Sequence, residues 1–333
     1  MDYLSLFSGI GGFEIGMEAS NQDFNCVGYS EIDSYALNIY KKHFPKHKSL
    51  GDVTKLNVEN LPDFDMLVAG FPCQAFSAAG LRKGFGDTRG TLFFEIARIL
   101  QAKKPQYFLL ENVKGLLSHD KGNTFQVIIN ILDGMGYNIR WDILNSKDFG
   151  VPQSRERIYI RGSLNSMPND ISLTEDVGHN IVDYLVKGRQ GERILDEEGI
   201  SQTLAASGGN RGSRTFVRTK NNNIKIAMRH NYRSSSILED DGIAQTLCAS
   251  NYKHPMRVRT KQGVTSDMEG LLDGGYRIRK LTPVECERIQ GFPDDWTKEG
   301  ADGVLMSDTQ RYKTCGNAVT TNVIKYIMNE WQI

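Results

Sequence analysis

The sequence predicts an α/β fold with a mostly parallel, doubly wound sheet, joined to a smaller domain that is mainly β. Short apolar runs alternate with segments of helical periodicity through the first 160 residues. From about residue 163 to 276, Gly, Ser, Asn and Arg become frequent and helical periodicity fades, and regular patterns return afterwards. We therefore expect an α/β domain over 1–162, a smaller β domain over 163–276, and a return to the first domain over 277–333.

Each element of the first domain is predicted from a local pattern. The predicted strands are 3–7, 26–30, 66–69 and 107–110, and the predicted helices are 13–19, 34–43, 91–101 and 125–132. After the β domain we predict helices over 283–289, with Thr282 as N-cap, and over 317–328. Ligands of such sheets bind at the carboxyl ends of the strands. Polar groups follow four apolar runs at those positions, at Ser8-Gly9, Glu31, Cys73 and Glu111.

Composition excludes several classes of protein. Hydrophobic content of 39% and charged content of 24% are ordinary for a globular domain, and no apolar run has the length of a membrane span. The start of the sequence lacks the pattern of a signal peptide, so we expect a cytoplasmic protein. The five cysteines are odd in number and none forms a CxxC pair, which disfavours a disulfide framework and a zinc site.

Charge and repetition distinguish the second segment from the rest of the chain. The net charge of the whole chain is zero, but residues 205–261 carry 11 Lys and Arg against 3 Asp and Glu. Such a patch attracts phosphates, although a solvated basic face is the simpler alternative. Within the segment, 194–204 recurs as 237–247, which indicates a duplicated β unit.

Three features of the first domain are typical of a nucleotide-like cofactor site. Glycines between the first strand and helix, in the loop Phe7 to Gly12, would allow a ligand to approach the backbone. Glu31, after the next strand, could accept hydrogen bonds from ribose hydroxyls, and Asp52 from an adenine amino group. The alternatives are a simple turn for the loop and a helix cap for a single acid.

The sharpest chemical feature is Cys73, which follows a predicted strand and a proline. A cysteine presented at a strand end is placed to act as a thiolate nucleophile. Glu111, at the next strand end, would face the same cleft. Arg155 and Arg157 precede another apolar run and project to one face, where they could bind a carbonyl oxygen or a phosphate, or pair with Glu156 instead.

Taken together, these residues resemble the C5-cytosine DNA methyltransferase family of bacterial and phage restriction–modification systems. The resemblance is carried, in order, by the Phe7–Gly12 loop, Glu31, Gly51-Asp52, Pro72-Cys73-Gln74, Glu111-Asn112-Val113, the 153–157 segment, Arg279 to Pro283 with Glu285-Cys286, and Gly316 to Val319. It implies a Rossmann-like S-adenosylmethionine-dependent methyltransferase domain with a target-recognition domain, and double-stranded DNA between them. It implies no metal, a monomer and functional pairing with a restriction endonuclease.

The resemblance also implies residue roles. Cys73 would attack carbon 6 of a flipped cytosine, with Glu111 at ring nitrogen 3, Arg157 at the carbonyl oxygen and Arg155 nearby. The final helix would complete the cofactor pocket. Expected cofactor-binding residues are Phe7, Ser8, Gly9, Gly11, Gly12, Glu31, Ile32, Asp52, Val53, Gly70, Pro72, Leu92, Asn317, Ala318 and Val319. Expected DNA-binding residues are Ser77, Arg89, Gln190, Arg193, Thr203 and Thr246, with 77–90 as a candidate lid.

Alternatives of other classes fit the sequence less well. An RNA cytosine methyltransferase of the same superfamily would usually lack so large a recognition segment. A catalytically inactive DNA-binding protein would not need Cys73 and Glu111, and a generic oxidoreductase would not explain Pro72-Cys73-Gln74. Each repeat ends in a Thr-Leu pair, at Thr203 and Thr246. We favour one composite recognition module over two separate specificities.

Overall fold

The computed structural model describes residues 1–72, 92–165, 237–239, 244–245, 257–261, 276–331 and 333. The strands are β1 Asp2–Leu6, β2 Asn25–Ser30, β3 Met66–Gly70, β4 Tyr107–Val113, β5 Asn138–Asn145, β6 Gln153–Ser154, β7 Glu156–Ser163, β8 Ile237–Glu239, β9 Ala244–Gln245, β10 Arg257–Lys261 and β11 Tyr276–Lys280. The α-helices are α1 Gly12–Glu18, α2 Ser34–His43, α3 Leu92–Lys103, α4 Asn123–Gly134, α5 Pro283–Arg288, α6 Asp308–Asn317 and α7 Thr321–Trp331.

A six-stranded sheet in the order β2-β1-β3-β4-β7-β5 organises the described part of the chain. The first four strands in that order run parallel, whereas β7 is antiparallel to both β4 and β5. This confirms the predicted mostly parallel sheet. Because β7 runs in the opposite direction, its beginning lies at the same edge of the sheet as the carboxyl ends of β3 and β4. The residues that precede and open β7 therefore lie beside those strand ends.

Helices cover both faces of the sheet, as predicted for a doubly wound fold. On one face α3 and α4 bury Phe93, Ile96 and Phe125 against the sheet. On the other, α1 and α7 pack together over Met66, Val68 and Leu109 of the sheet. The sheet thus has a hydrophobic layer on either side, which is the arrangement that fixes the strand ends relative to each other.

The final part of the chain differs from the prediction of one helix over 317–328. Asn317 ends α6, Ala318 is extended with φ −71° and ψ 152°, and α7 begins only at Thr321. The predicted N-cap of α5 is confirmed, because Thr282 and Glu285 form a reciprocal capping box. The bend at 318–320 therefore separates α6 from α7.

Two small sheets involve the segment that carries the repeat. In one, β10 lies between β8 and β11, and in the other β9 pairs in parallel with β6. Strands β8 and β9 belong to the second copy of the repeat, and Gln245 is in register with Ser154. The first copy lies outside the described residues, so the predicted boundaries at 162 and 276 remain a prediction. Among the described helices, none is long and apolar enough to cross a membrane.

Candidate active site

The glycine-containing loop after β1 is joined to Glu31 by its backbone. The Gly9 N–H donates to Oε2 of Glu31 at 2.8 Å, and the N–H groups of Ile32 and Asp33 donate to Oε1 at 2.7 Å each. The Ser8 N–H also donates to the carbonyl of Ser30 at 3.2 Å. The loops that follow β1 and β2 therefore form one unit, with the Glu31 carboxylate at its centre.

Glycine is required at two points of this loop because other parts of the chain come close. A Cβ on Gly11, where φ is +90°, would lie 2.3 Å from Cε2 of Phe44. A Cβ on Gly12 would lie 2.8 Å from Cγ2 of Val319. At Gly9, where φ is +57°, a Cβ would meet nothing within 4 Å. The loop is thus packed from behind and open in front, an arrangement that accommodates a ligand.

The remaining predicted cofactor residues divide into surface and core positions. Asp52 is a helix cap, as the alternative had it: its Oδ1 accepts from the N–H of Thr54 at 3.0 Å and from its hydroxyl at 2.8 Å. Those bonds lower the pKa of Asp52. The Val53 side chain lies in the hydrophobic core, and Leu92 packs against that core. Ile32, in contrast, is 72% exposed and offers an apolar surface beside Glu31.

Glu111 and Arg157 form an ion pair at the sheet edge. The Nε of Arg157 lies 3.1 Å from Oε1 of Glu111, and their side chains are only 13% and 10% exposed. The Nη1 of Arg157 also donates to the carbonyl of Glu156 at 2.8 Å, and Lys114 holds the Glu156 carboxylate. The structure therefore brings together two of the four predicted catalytic residues, Glu111 and Arg157. The alternative partner of Arg157, the Glu156 carboxylate, pairs with Lys114.

Gly70, at the end of β3, lies between the catalytic pair and the end of the chain. A Cβ on Gly70 would be 3.4 Å from Oε2 of Glu111 and 3.5 Å from Cγ1 of Val319. The predicted base-binding and cofactor-binding groups are therefore immediate neighbours around one glycine. A transfer between two ligands requires this proximity.

Arg155 is directed at backbone carbonyls of the bend between α6 and α7. Its Nη2 donates to the carbonyl of Ala318 at 2.9 Å and its Nη1 to that of Gly316 at 3.5 Å, and the residue is 3% exposed. Ser146 and Thr320 join through their hydroxyls at 2.8 Å beside it. Arg155 thus links the segment before β7 to the segment around Asn317, a connection that the sequence pattern does not reveal.

The cysteines that the structure describes are poor nucleophiles. Burial raises the pKa of the Cys26 and Cys286 thiols to about 12 in each case, and that of Cys315 well above its usual value. Cys73 lies outside the described residues, but the preceding residues place the chain at the carboxyl end of β3, next to Glu111. Cys73 and Cys248 remain as candidates for a reactive thiol.

Other predicted residues also lie outside the described residues. These are the DNA-binding candidates Ser77, Arg89, Gln190, Arg193, Thr203 and Thr246. Conversely, Asn112 had no predicted role beyond its place in the Glu111-Asn112-Val113 motif, and its buried amide donates to the carbonyl of Phe71 at 2.9 Å. Its position directly after Glu111 at a strand end was the available signal.

The chain is similar to known proteins over nearly its whole length. The sequence profile of the C-5 cytosine-specific DNA methylase family matches residues 1–332. The type II methyltransferase M.NlaX of Neisseria lactamica is 38% identical, with 98% of this chain and 95% of that protein covered. M.HhaI of Haemophilus parahaemolyticus, also a type II methyltransferase, is 36% identical, with 98% and 92% covered. The solved methyltransferase EhMeth of Entamoeba histolytica, 21% identical, has a TM-score of 0.64 over 99% of this chain and 97% of that one, which supports the fold.

Proposed function

Because the chain belongs to the C-5 cytosine-specific DNA methylase family and is a DNA cytosine-5 methyltransferase, we propose that it acts through a covalent bond between Cys73 and carbon 6 of a flipped-out cytosine. The observation that carries the proposal is the Glu111–Arg157 pair, which is nearly buried at the end of the strand that neighbours the Cys73 segment. A base stacked in a duplex cannot reach such a recessed pair, so the cytosine must leave the helix.

The pair matches the polar edge of cytosine. Ring nitrogen 3 and the carbonyl oxygen are adjacent acceptors, and Glu111 and Arg157 are adjacent groups 3.1 Å apart. Glu111 takes up a proton from water as the base enters and donates it to nitrogen 3, while Arg157 donates to the oxygen. These bonds offset the negative charge that develops when the Cys73 thiolate adds to carbon 6. The addition makes carbon 5 nucleophilic. After methyl transfer, water takes the carbon 5 proton, the electrons of that C–H bond form the carbon 5–carbon 6 double bond and expel the thiolate, and Glu111 takes back the proton on nitrogen 3.

S-adenosylmethionine, when bound, supplies the methyl group that carbon 5 receives. The open loop at Gly9, the Glu31 carboxylate and the exposed Ile32 side chain fit its nucleoside part. Asp52 keeps its Oδ2 oxygen for the adenine amino group, although Lys55 lies 3.7 Å away. The Ala318-Val319 backbone, beside Gly12 and Gly70, would border the reactive end. Arg155, which the resemblance places near the base, donates to the Ala318 carbonyl of that backbone.

Target recognition is assigned to the 163–276 segment, with DNA in the cleft beside it. The pairing of β9 with β6 supports this, because it brings the second repeat copy next to the residues that precede Arg155. We retain the single composite module. The biological role that follows is protection of DNA from a restriction endonuclease, as a type II methyltransferase performs.

The test begins with expression in a host that lacks cytosine methylation, followed by bisulfite sequencing, which identifies the target. A duplex of that sequence with 5-fluorocytosine at the methylated position then traps the intermediate. We expect an adduct that survives denaturation with the wild-type protein and none with Cys73→Ser, although the variant still binds DNA. An adduct with transfer RNA and none with DNA would refute the DNA assignment. If Thr203→Ala and Thr246→Ala each abolish methylation at a different sequence, the composite module is wrong.

A further inference from the structure

The carbonyl of Phe71 is the last hydrogen-bonding group of the chain before Pro72 and Cys73, and a side chain of the neighbouring strand holds it. The Nδ2 of Asn112 donates to this oxygen at 2.9 Å. Asn112 is 2% exposed and Phe71 is 5% exposed, so water does not compete for the bond. The contact joins β4 to the segment that leaves β3.

The orientation of the Asn112 amide is fixed from its other side. The backbone N–H of Val113 donates to Oδ1 of Asn112 at 2.8 Å. Because that N–H needs an acceptor, the amide must present its oxygen to Val113 and its NH₂ group to Phe71. The Asn112 backbone is in turn paired with Ile158 of β7, in the middle of the sheet. The donor is thus held on rigid structure.

The Asn112 side chain forms its hydrogen bond just beyond the last paired residues of β3 and β4. The last residue pair of β3 and β4 is Gly70 with Glu111. Pro72 has no N–H and cannot continue a ladder. The Phe71 carbonyl, one residue beyond the last pair, is the point where the chain would otherwise leave the sheet without support. Asn112, one residue beyond Glu111, supplies the missing bond.

Covalent geometry carries the restraint from this bond to the next residue. The peptide between Phe71 and Pro72 is planar, so a fixed carbonyl fixes the proline nitrogen. The pyrrolidine ring sets φ of Pro72 near −65°, and the following peptide is planar again. Only ψ of Pro72 remains as a soft dihedral angle between the Asn112 bond and the Cα atom of Cys73.

We infer that Asn112 is a positioning residue for the nucleophile: its amide clamps the Phe71 carbonyl and so aims Cys73 at carbon 6 of the base. This inference rests on the proposed function, in which Cys73 forms the covalent bond. Glu111 contacts the base from the same strand end, so one strand fixes both the base and, through the clamp, the thiol. A misplacement of about 1 Å can lower a rate about 100-fold.

The experiment compares Asn112→Ala with a matched control, Asn322→Ala. Asn322 makes the same kind of bond, from its Nδ2 to the carbonyl of Phe149 at 2.8 Å. Both variants lose one amide–carbonyl bond, but only the first bond holds the residue that precedes Pro72 and Cys73 in the sequence. Asn112→Asp is added as a second variant, because it keeps an acceptor for Val113 and sets a carboxyl oxygen in place of the NH₂ group that donates to Phe71.

Two rates are measured for each variant, the rate of adduct formation and the rate of Cys73 alkylation. The thermal unfolding midpoint and the Kd values for DNA and S-adenosylmethionine are measured for the same variants. We expect both Asn112 variants to slow adduct formation with the 5-fluorocytosine duplex about 100-fold, with Kd values changed by less than about threefold. Asn322→Ala should lower the midpoint and leave the adduct rate within about twofold of wild type. Equal losses of adduct rate in Asn112→Ala and Asn322→Ala, or wild-type rates in both Asn112 variants, would overturn the inference.

The second rate is alkylation of Cys73 by iodoacetamide in the absence of DNA, measured by mass spectrometry. We expect it to change in the Asn112 variants and not in Asn322→Ala. This readout separates the two proposals. If wild-type protein forms no adduct, the covalent function is wrong, and the alkylation rates still decide whether Asn112 positions the Cys73 thiol.

Discussion

Gly12, at the first turn of α1, lies directly against Val319, in the bend before α7. A Cβ on Gly12 would come within 2.8 Å of Cγ2 of Val319 and 3.0 Å of its carbonyl oxygen. The two segments are far apart in sequence, and both are assigned to the cofactor pocket. Because of this contact, the conformation of the loop before α1 depends on the position of the 318–320 bend.

Replacing Gly12 with Ala is therefore expected to push the 318–320 bend away from the loop. We expect a loss of about 1–3 kcal/mol in the free energy of unfolding, as for other overpacked sites, and weaker binding of S-adenosylmethionine. Gly134→Ala is the control, since a Cβ there meets nothing within 4 Å and Gly134 ends a helix. Urea unfolding and calorimetric titration would measure both effects. Unchanged cofactor binding in Gly12→Ala would show that the contact between Gly12 and Val319 does not affect the cofactor pocket.

The bond from Arg155 to the Ala318 carbonyl leads to a second prediction. Lysine keeps the charge but cannot reach two carbonyls with a planar fork, so Arg155→Lys should raise the Kd for S-adenosylmethionine about tenfold. Arg161→Lys is the control. Arg161 is equally buried and pairs with Asp142 at 2.8 Å, away from the bend. A similar loss of affinity in both variants would indicate general destabilisation instead of positioning.

Glu14 gives the protein a pH-dependent stability that is unrelated to catalysis. The side chain is fully buried on α1, and its Oε1 accepts from the Tyr40 hydroxyl at 2.9 Å. Burial raises the pKa of Glu14 from its ordinary 4.5 to about 7. The folded state thus holds this proton more tightly than the unfolded state. The associated stability is complete below about pH 4.5 and is lost as the pH rises to about 7.

We therefore expect Glu14→Gln to remove this contribution to the pH dependence. The difference is of the order of 3 kcal/mol between pH 4.5 and 8. Urea denaturation of wild type and Glu14→Gln at pH 5 and pH 8 would measure it, and the variant should gain relative to wild type at the higher pH. A constant difference between the two proteins at both pH values would contradict the burial argument.

Thiol reactivity gives the fourth prediction. Since burial raises the pKa of Cys26, Cys286 and Cys315, brief treatment of the native protein with iodoacetamide at pH 8 should leave all three unlabelled. Cys73 should be labelled, and urea should expose the protected thiols. Peptide mass spectrometry would read out each site. Rapid native labelling of Cys286 or Cys315 would mean that α5 and α6 open more readily than their packing implies.

The sequence could predict groups that lie at strand ends. Glu31 and Glu111 follow short apolar runs, and the parallel arrangement of those runs places their carboxyl ends at one edge of the sheet. Arg157 was assigned to the same cleft by resemblance, and the reversal of β7 supplies the physical reason, because it brings the start of that strand to this edge.

Other contacts depend on approaches between distant segments that no local pattern encodes. Arg155 bonds to Ala318 across the fold, and Asn112 bonds to Phe71, which precedes it by 41 positions. Strand β5 was not predicted, although Ile139, Trp141 and Ile143 alternate with polar residues. The predicted terminal helix begins four residues before the observed one, because the pattern of Asn317 to Thr320 is compatible with a helix. In the structure, bonds from Thr320 to Gln290 and from Arg155 to Ala318 hold these residues outside the helix.

The packing of α7 on the sheet has a consequence for synthesis of the protein. Met66, Val68 and Leu109 belong to strands that leave the ribosome early, but Val323 and Ile327, which cover them, follow more than two hundred residues later. Throughout that interval this face of the sheet lacks the cover of α7, and α1 covers only part of it, so the nascent chain exposes apolar surface of the kind that chaperones bind. We therefore expect each new molecule to depend on protection from aggregation until α7, which ends at Trp331, has been made and has docked.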